Sequence, residues 1–283
     1  TPEDDPSSMV DVDSIEAINK RTWSEKWSEY RKKPGSFIMF ILVHLATLIT
    51  VLSIGFLLVY VLVKGVPNLN ADIFSWEYTS DNCSLVPALI NTVYMTLLSL
   101  LIAGPIGIFA AIYLVEYAKT GNKLVGVVRI TAETLTGIPS IVYGLFGMLF
   151  FTNACGLRLS LISGALTLAI MVLPVIMRTT EEALMAVPKS YREGSFGLGA
   201  GKLRTVFKVV LPSAVPGILS GIILATGRIV GETAALIYTA GSVAKMATKL
   251  TDSTRTLAVH MYLLSKEGLH TDQGYATAVV LLV

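Results

Sequence analysis

The run from Phe37 to Val63, 27 residues without one Asp, Glu, Lys or Arg, constrains the fold more than any other feature of this chain. A segment that crosses about 30 Å of hydrocarbon must satisfy its own backbone polar groups, and about 20 apolar residues wound as a helix do so. Ala88–Leu114 meets the same condition, with Gly104-Pro105 predicting a kink. So does Val127–Phe151, with Arg129 and Glu133 near its start and Gly137-Ile138-Pro139 in its middle. Leu159–Met177 and Ser213–Ala240 are the fourth and fifth runs, and the ten residues Gly274–Val283 read as a sixth helix truncated where the sequence stops. The expectation is an all-α membrane protein with a polar tail over 1–36 and a six-helix transmembrane domain over 37–283. Its spans lie at about 37–63, 88–114, 127–151, 159–177, 213–240 and 274–283. The first run is too long, and starts too far into the chain, for the core of a signal peptide, so it is read as a retained helix.

Composition agrees. Only 15% of the residues are charged and 53% are apolar, whereas soluble domains carry about 25% charged residues. A net charge of +2 offers no basic surface for nucleic acid. The placement of the charges sets orientation instead, because Lys and Arg collect on the cytoplasmic side. With the N-terminus inside, 15 of the 22 basic residues fall on the inner side, six fall outside, and Arg228 lies within a span. The N-terminus is therefore placed in the cytoplasm. In the tail, Trp23, Trp27 and Tyr30 share one helical face, which fits a helix lying on the inner membrane surface; a disordered tail with incidental aromatics fits equally. Cys83 and Cys155 lack a histidine at ligand spacing, so no zinc site is expected. Both fall outside, as two free thiols or as one disulfide. His44 reads as a satisfied interior histidine, and 252–270 as an amphipathic outer segment too short and charged to span.

The inner loop 181–212 is the most informative stretch. Its first part has helical apolar spacing and ends near Pro188. Ser190 with Glu193 three residues on predicts a capping box for a second short helix. Gly197, Gly199 and Gly201 then permit a turn, and Pro212 is expected to open the next spanning helix, where its missing N–H costs nothing. A helix–turn–helix held against the inner face is a docking surface for a soluble partner. Gly199-Ala200-Gly201-Lys202 imitates part of a phosphate-binding loop, but Phe196 stands where that motif needs its first Gly and Leu203 where it needs Ser or Thr. Any ATPase must be another polypeptide.

Glu193-Gly194-Ser195, three residues, Gly199, nine residues, then Val209-Val210-Leu211-Pro212 resembles the coupling loop of ABC importer permeases. That pattern is Glu-Ala-Ala, Gly, Ile, any residue, Leu-Pro at the same spacing; here Gly and Ser replace the two alanines and Val replaces Ile. The resemblance implies a type I importer transmembrane domain, with Ser190, Glu193, Gly199, Leu211 and Pro212 in the segment that contacts the ATPase. Glu133–Gly147 (ETLTGIPSIVYGLFG) and Gly227–Gly241 (GRIVGETAALIYTAG) are similar to phosphate-importer permeases, the second to the PstA-type subunit. The family resemblance implies a bacterial inner-membrane complex: a homologous phosphate permease as mate, two ATPase subunits that bind ATP and Mg, an extracytoplasmic phosphate-binding protein, and surrounding lipid. This chain itself would bind no cofactor or metal and catalyse no bond chemistry.

Charged residues inside spans usually face a bundle interior or a watery cavity. Arg228 and Glu232 stand at i, i+4 in the fifth run and can pair. Arg suits an oxyanion because its planar fork donates two parallel hydrogen bonds and keeps its proton. The resemblance places substrate-path arginines at Arg178 and Arg228, with Glu232 beside the second. The structural alternatives are an ion pair that locks helices together at Arg228–Glu232, and ordinary positive-inside bias at Arg178. Arg129 and Glu133 form another i, i+4 pair, read as a brace, and Gly137, Pro139 and Ser140 predict a bent helix beside the pathway. Three alternatives stand beside this one. An importer for sulfate or molybdate would look alike physically. A secondary transporter would show inverted repeats, and no matching segments are present. An intramembrane enzyme would need a nucleophile–base set or metal ligands within the spans.

Overall fold

The computed structural model describes residues 34–119 and 121–283, so the aromatic face expected over Trp23–Tyr30 lies outside the described residues. Those residues form helices and turns, with no strand among them. The chain divides into two compact units, 1–60 and 61–283.

The first unit holds most of α1 (Pro34–Gly65), a helix whose large apolar side chains are exposed along its length, Phe56 at 68%. Such a surface is stable only against lipid or another apolar face. His44 is exposed rather than interior, and its Nδ1 lies 2.9 Å from the Phe40 carbonyl one turn back. A histidine on a helix can be satisfied by its own backbone and needs no interior partner.

The second unit is built around α5 (Leu161–Ala186), which begins at an N-cap where the Ser160 hydroxyl accepts the Ser163 N–H. It runs nine residues past the expected inner end, carrying Arg178 and Glu181 with it. Two long helices pack along it: α2 (Val86–Ile112) and α8 (Leu211–Val230). Leu168, Met171, Val172 and Ile176 are fully buried in the middle of the bundle with Met95 from α2 and Ala225 from α8. A second cluster at the C-terminal end of α5 joins Leu114, Leu184, Val206 and Val210. Helix α2 continues unbroken through Pro105, where a kink was expected, and passes into a wide helical turn at Tyr113–Tyr117.

The third apolar run is two helices. α3 (Lys123–Thr136) and α4 (Ser140–Gly147, extended by a wide turn at Met148–Ala154) meet at 104°. The fifth run starts earlier than expected. A short helix α7 (Lys202–Thr205) passes through a third wide turn, Val206–Val210, straight into α8, so Pro212 sits inside a continuous helical run instead of opening one. The widened turn needs no i→i−4 donor there, which removes the conflict with proline. After α8 the helix stops at Val230, and α9 (Ala234–Thr239) begins after three intervening residues. Towards the end of the chain α10 (Leu257–Glu267) packs on α11 (Thr271–Leu282). Among the described residues four helices are long and apolar enough to cross a bilayer, or five if α3 and α4 make one bent span. Cys83 is buried and Cys155 exposed, and neither is paired.

Candidate functional site

The two broken helices meet each other. At the first break, proline cannot continue the hydrogen-bonding of α3 and holds the residue before it out of the helical region. Pro139 adopts an extended backbone (φ −58°, ψ 139°) directly ahead of Ser140, the first residue of α4. Tyr143 then reaches back, its hydroxyl donating to the Leu135 carbonyl at 2.8 Å, and staples the two halves across the bend. At the second break, α9 packs against α4 so closely that a methyl on Gly144 would stand 2.7 Å from the Ala235 Cα. Irregular backbone at membrane depth is tolerated where it is buried in protein or lines a cavity.

The second break also separates Arg228 from Glu232. An i, i+4 pair requires a continuous helix, and this one ends between them. Glu232, 8% exposed, turns its carboxylate onto the start of α9 and accepts the Ala235 N–H at 3.0 Å. Arg228 is half-buried on the last turn of α8, with no ion-pair partner among the described residues.

Arg178 is placed differently. At the inner end of α5 it faces two carboxylates, Glu182 at 3.2 Å one turn on and Glu133 of α3 at 3.6 Å. Arg129 also pairs across helices, with Glu181, instead of with Glu133 on its own helix. The physical reason is burial. Glu181 is 9% exposed and needs a cation, while an exposed i, i+4 pair is worth only about 0.3–0.5 kcal/mol. These five side chains line a cleft of ≈ 240 Å³ with Met177 and Met185. Three carboxylates against two guanidinium groups leave the cleft with one excess negative charge, so Arg178 is not a bare anion hook in this conformation. Arg178 and Arg228 are not neighbours. α8 passes α5 with Gly221 against Thr179, and seven residues more of α8 put Arg228 about 10 Å further along the bundle than Arg178.

In the inner loop, α6 (Lys189–Gly197) starts one residue before Ser190, with Pro188 as its N-cap and no side-chain capping bond. Ser190 and Glu193 are exposed, and the expected capping box does not form. The proline supplies the entry geometry instead. Gly199 adopts φ +80°, the left-handed conformation that glycine takes without strain, and turns the chain toward α7. Ser195 and Thr205 hydroxyls bridge the two arms at 2.8 Å, and the Lys202 ammonium lies over the Tyr117 ring at 5.1 Å. Leu211 is half-buried and Pro212 exposed, both on the continuous helical run. Outward, Tyr191, Phe196 and Leu198 are exposed, Leu198 at 91%.

One residue that the sequence reading counted only as a charge proves central to this loop. Arg192 donates Nε and Nη2 to Glu116 Oε1 at 3.0 and 2.6 Å, Nη2 to the Leu184 carbonyl at 2.9 Å and Nη1 to the Val187 carbonyl at 2.9 Å. The available signal was a lone carboxylate, Glu116, at the inner end of the second apolar run.

A helical bundle with broken helices at its centre and a helix–turn–helix at one end is an arrangement suited to a transport permease. The model of the family "binding-protein-dependent transport system inner membrane component" matches residues 103–283, and the chain belongs to that family, the permease subunits of ABC importers. It is 34% identical over 247 residues to a probable ABC transporter permease protein, YqgI, of Bacillus subtilis, the match covering 80% of this chain and 82% of that one. It is 40% identical over 179 residues to the phosphate transport system permease protein PstA of Xylella fastidiosa, covering 62% of each. Among solved structures, the inward-facing MetNI methionine ABC transporter superposes with a TM-score of 0.55 at 22% identity, over 70% of this chain and 88% of that chain, a likeness of fold. The type I importer architecture expected from the coupling pattern is thus present.

Proposed function

We propose that this chain is the permease subunit of an ATP-driven importer of inorganic phosphate. The observation that carries the reading is Arg228, a half-buried guanidinium beside a break in a spanning helix, with no carboxylate partner among the described residues, in a chain whose relatives include named phosphate permeases. A partly desolvated Arg with its fork open is suited to a small oxyanion. In this reading the N-terminus is cytoplasmic, the domain over 37–283 makes six spans, and a homologous permease closes the pathway from the other side. Two ATPase subunits, which bind the ATP and Mg, dock on 181–212, and a phosphate-binding protein delivers the substrate from outside. Glu232 holds the α9 side of the break in place. Arg178 joins the path only when Glu133 and Glu182 release it. Gly137, Pro139 and Ser140 form the break on the opposing helix.

The test is uptake of labelled phosphate and of sulfate into vesicles holding the full assembly, wild type against Arg228→Gln. The expected result is ATP-dependent phosphate uptake that falls by about tenfold or more in the variant while the complex still assembles. Uptake unchanged by the substitution would reduce Arg228 to a structural role. Sulfate uptake without phosphate would overturn the substrate and leave an importer permease for another oxyanion.

A further inference from the structure

We infer that Arg192 and Glu116 are positioning residues: a strut through which displacement of the coupling segment reaches the spanning helices. The inference rests on the reading of 181–212 as the ATPase-docking segment and names the side chains that would carry its motion inward.

The geometry joins three elements at one guanidinium. α6 contributes Arg192 itself, the wide turn that ends α2 contributes Glu116, and the end of α5 contributes the carbonyls of Leu184 and Val187. Those carbonyls lie where a helix leaves its last acceptors without intrahelical partners and where its dipole favours a cation. Arg192 and Glu116 are 18% and 9% exposed, so water competes weakly for their hydrogen bonds. The rest of α6 has little hold on the bundle: it contains no buried residue and no capping side chain, and its large side chains Tyr191 and Phe196 are exposed. α6 also packs against the turn at Val206–Val210 and is bridged to α7 through Ser195 and Thr205, but among the described residues the side-chain hydrogen bonds that tie it to α2 and α5 are the four of Arg192. A planar, permanently charged fork can hold two directions of load at once, whereas a lysine offers a single ammonium on a flexible stem. A push on the exposed face of α6 is therefore delivered to α2 and α5 together, and α5 is the element around which the bundle is packed.

The experiment uses the whole assembly (this chain with its permease mate, ATPase and binding protein) in lipid nanodiscs, with Cys83 and Cys155 replaced by Ser. Spin labels at Leu198→Cys and Phe109→Cys, both on exposed positions, report the separation between the coupling segment and α2, with and without a non-hydrolysable ATP analogue. In the wild type the two move as one body, and the distance distribution is the same in both states. In Arg192→Lys and Glu116→Gln the analogue shifts or broadens it, and stimulation of ATP hydrolysis by the binding protein drops about fivefold or more, while the ATPase still copurifies. Glu116 lies outside the docking segment, so its variant separates coupling from docking. An unchanged distribution in Glu116→Gln, with the assembly intact, overturns the strut alone. Variants whose only defect is loss of the ATPase overturn it in favour of a docking role. A wild-type chain that holds no ATPase removes the coupling reading and the strut with it. Phosphate uptake is not read in this experiment, so a wrong substrate leaves its outcome untouched.

Discussion

Gly144 and Gly126 are both inside helices, and the same substitution should act on them with opposite signs. In α4, a Cβ on Gly144 would lie 2.7 Å from the Ala235 Cα and 3.2 Å from its carbonyl oxygen. Ordinary contacts of a Cβ begin at 3.4 Å, and the atoms in the way are backbone, which no rotamer change can move. α4 and α9 must separate by about 0.7 Å or more, and overpacking of that kind costs about 1–3 kcal/mol. Replacing a helical Gly by Ala returns about 1 kcal/mol of propensity, so Gly144→Ala, with backbone in the way and the cost at the upper end of that range, should be a net loss of up to about 2 kcal/mol. Gly126, in α3, is exposed and meets nothing within 4 Å. There only the propensity remains, and Gly126→Ala should stabilise by about 0.5–1 kcal/mol. Reversible unfolding of the purified protein in mixed SDS micelles reads both variants on one scale. A Gly144→Ala protein as stable as wild type would mean that the two broken helices are not packed as described, and equal effects at both positions would refute the steric argument altogether.

Two further outcomes follow from the charges. Removing the cation of the buried pair, Arg129→Gln, should cost about 1–2 kcal/mol, less than the loss of a fully buried pair because Arg129 is half exposed. Glu133→Gln, whose pair at 3.6 Å is exposed on both sides, should change stability by about 0–0.5 kcal/mol in the same assay; the reverse order would refute the partner assignment. In α10, outside the candidate spanning helices, burial and then the nearby Arg255 push the His260 imidazole down to about 3, against a weaker upward pull from the Cys83 carbonyl. A folded pKa below the unfolded value near 6.5 favours the neutral ring, so its contribution is fully present above pH 6.5 and is lost as pH falls toward 3. Wild type should lose about 1 kcal/mol more than His260→Gln between pH 8 and pH 5.5, and equal losses would show that the ring titrates normally.

The helical runs, the break at Gly137–Pro139 and the spacing of the coupling segment were legible in the sequence because each is fixed by local chemistry: apolar length, a proline's missing donor, glycine at a turn. The pairings were not. Arg129 sits one turn from Glu133, and local spacing favours that partner until the buried Glu181, 52 residues away, competes for it. The Arg228–Glu232 pair assumed a helix that in fact ends at Val230, and nothing in Ile229-Val230-Gly231 is as forceful a stop as a proline. Ser190 read as a cap because the capping-box pattern matched, but Pro188 had already set the start of the helix. Arg192 stayed hidden because its acceptors are an unassigned carboxylate and two backbone carbonyls, which leave no mark in a sequence.

The wide turn at Val206–Val210 stands between the helix–turn–helix over 189–205 and α8. It accommodates one residue more than regular winding would. A residue released from such a turn advances the following helix by about 1.5 Å and rotates it by about 100°. Such a step would present a different side of α8, and a different bearing of Arg228, without unfolding any of it. Registry between the 189–205 arm and α8 is set in whole-residue steps by this turn, like a screw with one slack thread.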